Sequence, residues 1–243
     1  MTGVASSGLA IDWSHYTPAL GSAIVRTIEF TVLGFAGAVV VGLAIAVFRM
    51  SRILPLRWFA RLYTEIFRNL PLITEVFVIY FGLASVGIVF NALVAGSLSL
   101  ALFYGAYLSE MFRGGITGVP AEQKEAAQAV GLTSWTIFWH ITVPQAARIA
   151  LPGTSTMLVD LLKGTSIMVT IGGAELMTEG QFIASATFQA LQVYLVVGAI
   201  YVALAWPMSQ LSLWLEARLK RSTPILPGRR RLWRITKTIM NTQ

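Results

Sequence analysis

The stretch EAAQAVGLTSWTIFWHITVPQ, Glu125–Gln145, is polar and alanine-rich, with Gly131 in its middle and Pro144 near its end. It stands in a chain otherwise written for lipid. Of 243 residues, 56% are hydrophobic and only 12% are charged; mean hydropathy is +0.70. Soluble domains sit near ~45–50% apolar. Runs of about 20 apolar residues read as membrane spans. The quoted segment is therefore a piece that a membrane domain holds outside lipid, and its flanks decide on which side.

Five spans are read on either side of it, at roughly 22–48, 65–86, 89–110, 149–172 and 189–215. The fold class is thus all-α integral membrane, a five-helix bundle. The first span contains FTVLGFAGAVVVGLAIAVF, rich in glycine and alanine. Small residues let helix backbones approach closely in lipid. Pro71 predicts a kink in the second span, since proline cannot donate to the helical ladder. Residues 1–21 lack a basic start and carry Asp12, unlike a secretory signal. They are read as an external N-terminal segment, followed by a transmembrane domain at 22–215 and a basic tail at 216–243.

Lysine and arginine choose the side. Arg49, Arg52, Arg57 and Arg61 lie in the 49–61 turn, and Arg113, Lys124 and Arg148 in the 113–148 segment. Arg218, Lys220, Arg221, Arg229, Arg230, Arg231, Arg234 and Lys237 lie in the tail. Residues 1–21 have no basic residue, and 173–188 hold only Glu175 and Glu179. Five spans place all three basic segments on one side, the cytoplasm, with the N-terminus external. The formal charge of +7 then sets topology, and nucleic acid is not an expected partner. The chain has no cysteine, which excludes a disulfide frame or a thiolate metal site. No cofactor or metal is expected.

The quoted segment is the longest internal loop, between spans three and four. Pro120 suits a first helical turn, and Glu122 and Glu125 suit its positive end. Ala126, Ala127 and Ala129 continue a helix, and Gly131 fits a left-handed stop. Ser134 is placed to cap a second helix, with Trp135, Phe138 and Trp139 at helical spacing and Pro144 at its end. The first helix offers a small-residue face suited to a groove on a partner. The second offers an aromatic face, for the bundle or the lipid interface. The plain alternative is a re-entrant interfacial loop with structural duties only.

Glu125-Ala126-Ala127, then Gly131, Ile141 and Val143-Pro144 closely resemble the EAA loop of ABC importer permeases, with Val143 in place of that pattern's leucine. FRNLPLITEVFVIYFGL (67–83), GAYLSEMFRGGI (105–116), PQAARIALP (144–152) and LLKGTSI (161–167) resemble the polar amino acid branch, which includes histidine, glutamine, glutamate and arginine-type importers. Glu75 and Gly164 depart from the glutamine and aspartate usual in that branch. The resemblance implies a permease subunit that forms the path for polar amino acids or close derivatives. It implies cytoplasmic ATP-binding subunits coupled through Glu125, Ala126, Ala127, Gly131, Ile141 and Pro144. It further implies a second permease, identical or a sister chain, and an external solute-binding protein. The setting is a bacterial inner membrane.

Three other chemistries compete. No G-x-x-x-x-G-K-[ST] occurs, so ATP hydrolysis is not expected of this chain. An intramembrane serine protease needs a base near its nucleophile, and the histidines, His15 and His140, both lie outside the spans. An ion- or proton-coupled secondary carrier is the stronger rival, since ionisable residues inside a membrane are functional suspects.

Arg26/Glu29, Glu65/Arg68, Glu110/Arg113 and Asp160/Lys163 each fall three residues apart, a spacing that allows neutralisation on one helix face. Asp160/Lys163 lies inside span four, where it either lines a cavity or locks two helices. Glu75 has no partner at helical spacing, and an unpaired buried carboxylate is costly. It is expected to face a polar cavity, another subunit or a proton. Glu75, Asp160, Lys163, Thr165 and Ser166 are the expected substrate path. The tail PGRRRLWRITK is expected to meet anionic lipid.

Overall fold

The computed structural model describes residues 11–221. The arginines and lysine of the tail from Arg229 to Lys237 lie outside the described residues, as do residues 1–10. The described chain is helical throughout. Its helices are α1 (Trp13–Met50), α2 (Leu54–Asn69), α3 (Leu72–Ser85), α4 (Ala92–Thr117) and α5 (Ala121–Ala129). Then follow α6 (Ser134–Ile171), α7 (Leu176–Thr187) and α8 (Ala190–Arg221). α1, α4 and α8 are each long and apolar enough to cross a membrane; the bent pairs α2/α3 and α6/α7 bring the number to as many as five.

α1 and α4 form the most extensive helix pair, and small residues make it possible. A β-carbon on Gly37 would lie 2.7 Å from the Ala101 Cβ, so only glycine permits this separation. Phe30, Leu100, Leu108, Leu161 and Met168 fill the core where α1, α4 and α6 meet. A second cluster joins Leu20 of α1 to Leu176 and Ile183 of α7 and to Val193 and Val197 of α8. α1 starts at Trp13, inside the segment read as N-terminal tail. Asp12 caps it, accepting from the Ser14 N–H at 3.1 Å and the Ser14 hydroxyl at 2.6 Å. These bonds hold the Asp12 carboxyl below its usual range.

Four boundaries differ from the hydropathy reading. Span two is not one helix kinked at Pro71. Residues 65–69 end α2, Leu70 and Pro71 are extended, and α3 leaves at 110° to α2. The residue before a proline avoids helical angles, so the break begins at Leu70. The 49–61 turn is mostly the start of α2. α4 runs on to Thr117 because Glu110 is neutralised by Arg113 at 2.8 Å and by Arg49 of α1 at 3.0 Å. The coupling segment therefore begins later than residue 113. Finally, Pro144 does not end a helix. A π-helical turn over Phe138–Thr142 absorbs the missing N–H, and α6 continues unbroken to Ile171.

Candidate translocation path and coupling loop

The loop between α4 and α6 forms as its residues dictate. Pro120 is the extended N-cap of α5, with Glu122 in the first turn. α5 closes in a Schellman motif: the Leu132 N–H donates to the Ala127 carbonyl at 3.1 Å and the Gly131 N–H to that of Gln128 at 2.9 Å. Gly131 has φ +82°, and a β-carbon there would meet nothing within 4 Å. Its constraint is therefore the backbone angle alone. The cap of the second helix is Thr133, not Ser134; its hydroxyl accepts from the Thr136 N–H at 3.3 Å. One residue earlier is where the chain is still extended, which a capping oxygen requires.

The two loop helices are tied by a contact that sequence spacing did not signal. The Gln145 amide donates to Gln123 Oε1 at 2.6 Å and to the Ile141 carbonyl at 3.0 Å. Ala127 and Ile137 are buried, which holds α5 on α6. Glu125, Ala126, Gly131 and Pro144 stay exposed, and Ile141 is half-buried. Val130, Leu132 and Trp135 are also exposed, Trp135 to 72%. Trp135 packs edge-on against Trp139 with ring centroids 5.5 Å apart. A small-residue and apolar surface thus projects from the bundle, carried by a stiff continuation of a core helix.

The other residues gather where α3, α4 and α6 converge. Asp160 and Lys163 are exposed on α6. They do not pair with each other, whereas Arg26–Glu29, Arg49–Glu110 and Arg113–Glu110 do. Glu65 and Arg68 are likewise unpaired; Arg68 lies over the Tyr107 ring at 5.4 Å. Asp160 instead accepts a hydrogen bond at 3.1 Å from the Tyr104 hydroxyl of α4. A side chain in position to reach across helices, rather than one at i+3, holds this carboxylate.

Gly164 explains its own departure from aspartate. A β-carbon there would sit 2.8 Å from the Tyr104 hydroxyl and 3.4 Å from Leu72 Cδ2. Any side chain would push α3 and α4 away from α6. One turn along α3 from Leu72, Glu75 is 3% exposed, and neither carboxylate oxygen has a hydrogen-bond partner in the described chain. Thr165 is fully buried and its hydroxyl donates to the Leu162 carbonyl at 2.8 Å. The Ser166 hydroxyl donates to the Lys163 carbonyl at 2.8 Å.

A further buried carboxylate escaped the sequence reading, which placed Glu175 in an external loop. Glu175 has no exposed surface and caps α7, accepting from the Met177 and Thr178 N–H groups at 2.9 Å. The Tyr201 hydroxyl of α8 donates to it at 2.6 Å, and the Leu176 N–H donates to Thr27 of α1 at 3.2 Å. Unlike Glu75, this acid is satisfied on every side and joins α7 to α8, while the neighbouring Leu176 ties α7 to α1. The capping pattern, an acid followed by Thr178 three residues on, was its only signal.

The geometry has counterparts among known proteins. The pattern for "binding-protein-dependent transport system inner membrane component" matches residues 38–221. The "Probable glutamine ABC transporter permease protein GlnM" of Bacillus subtilis (strain 168) is 35% identical over 197 residues, covering 81% of this chain and 91% of that protein. The "L-cystine transport system permease protein TcyB" of the same organism is 31% identical over 219 residues, covering 88% and 94%. In the crystal structure of an amino acid ABC transporter with histidines, one chain superposes with TM-score 0.81 at 32% identity, covering 86% of this chain and 99% of that one. A chain of the MetNI methionine ABC transporter shares the fold, with TM-score 0.72 at 19% identity.

Proposed function

The chain belongs to the family of binding-protein-dependent transport system inner membrane components, and on that premise we propose that Asp160, Lys163 and Glu75 line the route by which polar amino acids cross. It is the membrane-spanning permease of an amino-acid ABC importer. Such a subunit has no catalytic domain, and ATPase and solute-binding partners are implied by the family. The secondary-carrier reading falls away, because the family belongs to binding-protein-dependent ABC systems.

The observation that carries the path is the exposure of Asp160 and Lys163 in the interior of α6. Charged groups on a spanning helix turn to a bundle interior or a watery cavity, not to lipid. Here they are bare on the isolated chain, so the cavity closes against a second permease subunit, identical or a sister. Two carboxylates and one ammonium favour cationic or zwitterionic cargo over an acidic amino acid, since like charges repel strongly in a low-dielectric site. Thr165 and Ser166 border the route from the 3₁₀ turn that follows α6's last α-helical residues, with hydroxyls occupied by backbone carbonyls in this conformation.

The N-terminus lies outside and the coupling loop inside, as the basic residues of α2 and the loop favour. The bundle of residues 22–215 forms the permease domain, with the basic tail on the cytoplasmic side. On the inside, Glu125, Ala126, Ala127, Gly131, Ile141 and Pro144 present the surface that meets the ATPase. Because α5 is bonded to α6 through Gln123 and Gln145, a push on α5 moves the helix that carries Asp160 and Lys163.

The test is ATP-driven uptake in proteoliposomes containing the whole importer, with its binding protein saturated. Asp160→Asn keeps the shape and the Tyr104 contact but removes the charge. A charged hydrogen bond is worth roughly 1.5–3 kcal/mol, so uptake falls about tenfold or more while ATPase assembly is unchanged. Wild-type uptake would exclude Asp160 from the path.

A further inference from the structure

α2 is unlike the other long helices. Its charged residues Arg57, Arg61, Glu65 and Arg68 fall on one side, and Phe59, Leu62, Tyr63 and Ile66 on the other. The fold uses a seam at the edge of the apolar side: Ala60, Tyr63 and Thr64 are buried, and the Tyr63 hydroxyl donates to the Leu102 carbonyl of α4 at 2.6 Å. Trp58, Phe59, Leu62 and Ile66 remain exposed, Trp58 to 63%. Between the buried seam and the polar side, α2 thus shows a continuous apolar stripe that nothing among the described residues covers.

Its direction limits what covers it. α3 leaves α2 at 110°. If α3 crosses the bilayer near its normal, α2 lies close to the membrane plane, at the depth where the spans begin. A helix with one charged and one apolar face at that depth has the build of an interfacial helix.

Its charge chooses the lipid. Arg49, just before it, is taken by Glu110, and Arg68, at its far end, lies over Tyr107. Arg52, Arg57 and Arg61 have no carboxylate within ion-pairing distance among the described residues. Glu65 shares the polar side with Arg61, but its carboxylate approaches the Asn69 amide, at 3.5 Å. The Arg57 Nε is buried and has no acceptor, although a guanidinium carries five donors and no acceptor of its own. Arg57 and Arg61 form one i,i+4 row directly beside the row of Leu54, Trp58 and Leu62.

We propose that α2 is an in-plane membrane helix that seats an anionic phospholipid, with Arg52, Arg57 and Arg61 on the headgroup phosphate and Trp58, Phe59, Leu62 and Ile66 among the upper acyl carbons. Guanidinium forks match phosphate geometry, and tryptophan favours the level of the headgroups. The inference does not depend on the path residues or on the cargo.

The chain has no cysteine, so nitroxides can be placed singly on the full-length protein in vesicles of phosphatidylcholine and phosphatidylglycerol. Leu62→Cys and Ile66→Cys labels are expected to meet oxygen dissolved in lipid and to avoid an aqueous nickel complex. A Glu65→Cys label is expected to do the reverse. Protection of Leu62 and Ile66 from both reagents would mean that protein covers the stripe, and free access of nickel would mean that water does; either overturns the proposal. Selectivity is read from immobilised spin-labelled phosphatidylglycerol against phosphatidylcholine. One basic residue at an anionic surface is worth about a five-fold preference. The doubly substituted Arg57→Gln, Arg61→Gln chain should lose at least about that much selectivity while its Leu62 label stays in lipid. Unchanged selectivity in that variant would remove the arginines from the site.

Discussion

Glu75 and Glu175 show how little the residue type decides. Both are glutamates buried in the bundle. Glu175 accepts hydrogen bonds from two backbone amides, Thr178 and Tyr201, whereas both oxygens of Glu75 are bare. Satisfied, a buried acid joins elements; unsatisfied, it is a standing cost of several kcal/mol if charged. Glu75→Gln keeps the size and removes that charge. We expect thermal stability to hold or rise and uptake of a cationic or zwitterionic amino acid to fall several-fold, measured on the assembled importer with its binding protein saturated. A stability gain with unaltered uptake would make Glu75 a structural residue and withdraw the cargo inference. That Glu75 lacks a partner was legible because its helical neighbours offer no basic residue. The Tyr104–Asp160 bond was not, because its partners are distant in sequence and only packing brings them to 3.1 Å.

α5 and α6 act as one lever because of how each element ends. Hydropathy placed the loop between the third and fourth spans, though not its ends, and its glycine stop was legible in sequence, since the Schellman closure is local chemistry. Pro144 misled for the same reason: local rules make it a helix terminator, and only the π turn before it, with the buried Ile137 and Thr142, keeps the helix running. The left-handed angle at Gly131 carries the first expectation for this element. A β-carbon in that region costs roughly 1–2 kcal/mol, and valine adds branching. Gly131→Val should insert and assemble but lose uptake while binding-protein-stimulated ATP hydrolysis persists. Gly131→Asn, which tolerates the same angle, should retain uptake. Equal transport by both would take the loop out of its coupling role.

Across the whole molecule, charge asymmetry and the span count predict opposite sides for α7 and the coupling loop. Thr178 is a poor reporter of this, since it is buried and bonded to the Gly173 carbonyl and Glu175; Gln181 and Gln128 are exposed. In intact cells, Gln181→Cys should react with a membrane-impermeant maleimide, and Gln128→Cys should react only after permeabilisation. The reversed pattern would invert the topology and detach the loop from a cytoplasmic ATPase.

The helical class, the membrane character of the chain and the family were determined by the sequence alone. Lipid demands long apolar runs with internally bonded backbone, and the EAA spacing is contiguous, so both survive in one dimension. Tertiary structure alone decided that α2 turns across α3, that α4 outruns its apolar stretch on the strength of Arg49, and that Asp160 prefers Tyr104 to Lys163. It also decided which small residues matter: Gly37 admits Ala101, and Gly164 admits Tyr104. Apart from the break at Leu70, which Pro71 begins locally, each of these rests on a contact between segments far apart in the chain, where the distance between backbones, not the order of residues, sets what a side chain can reach.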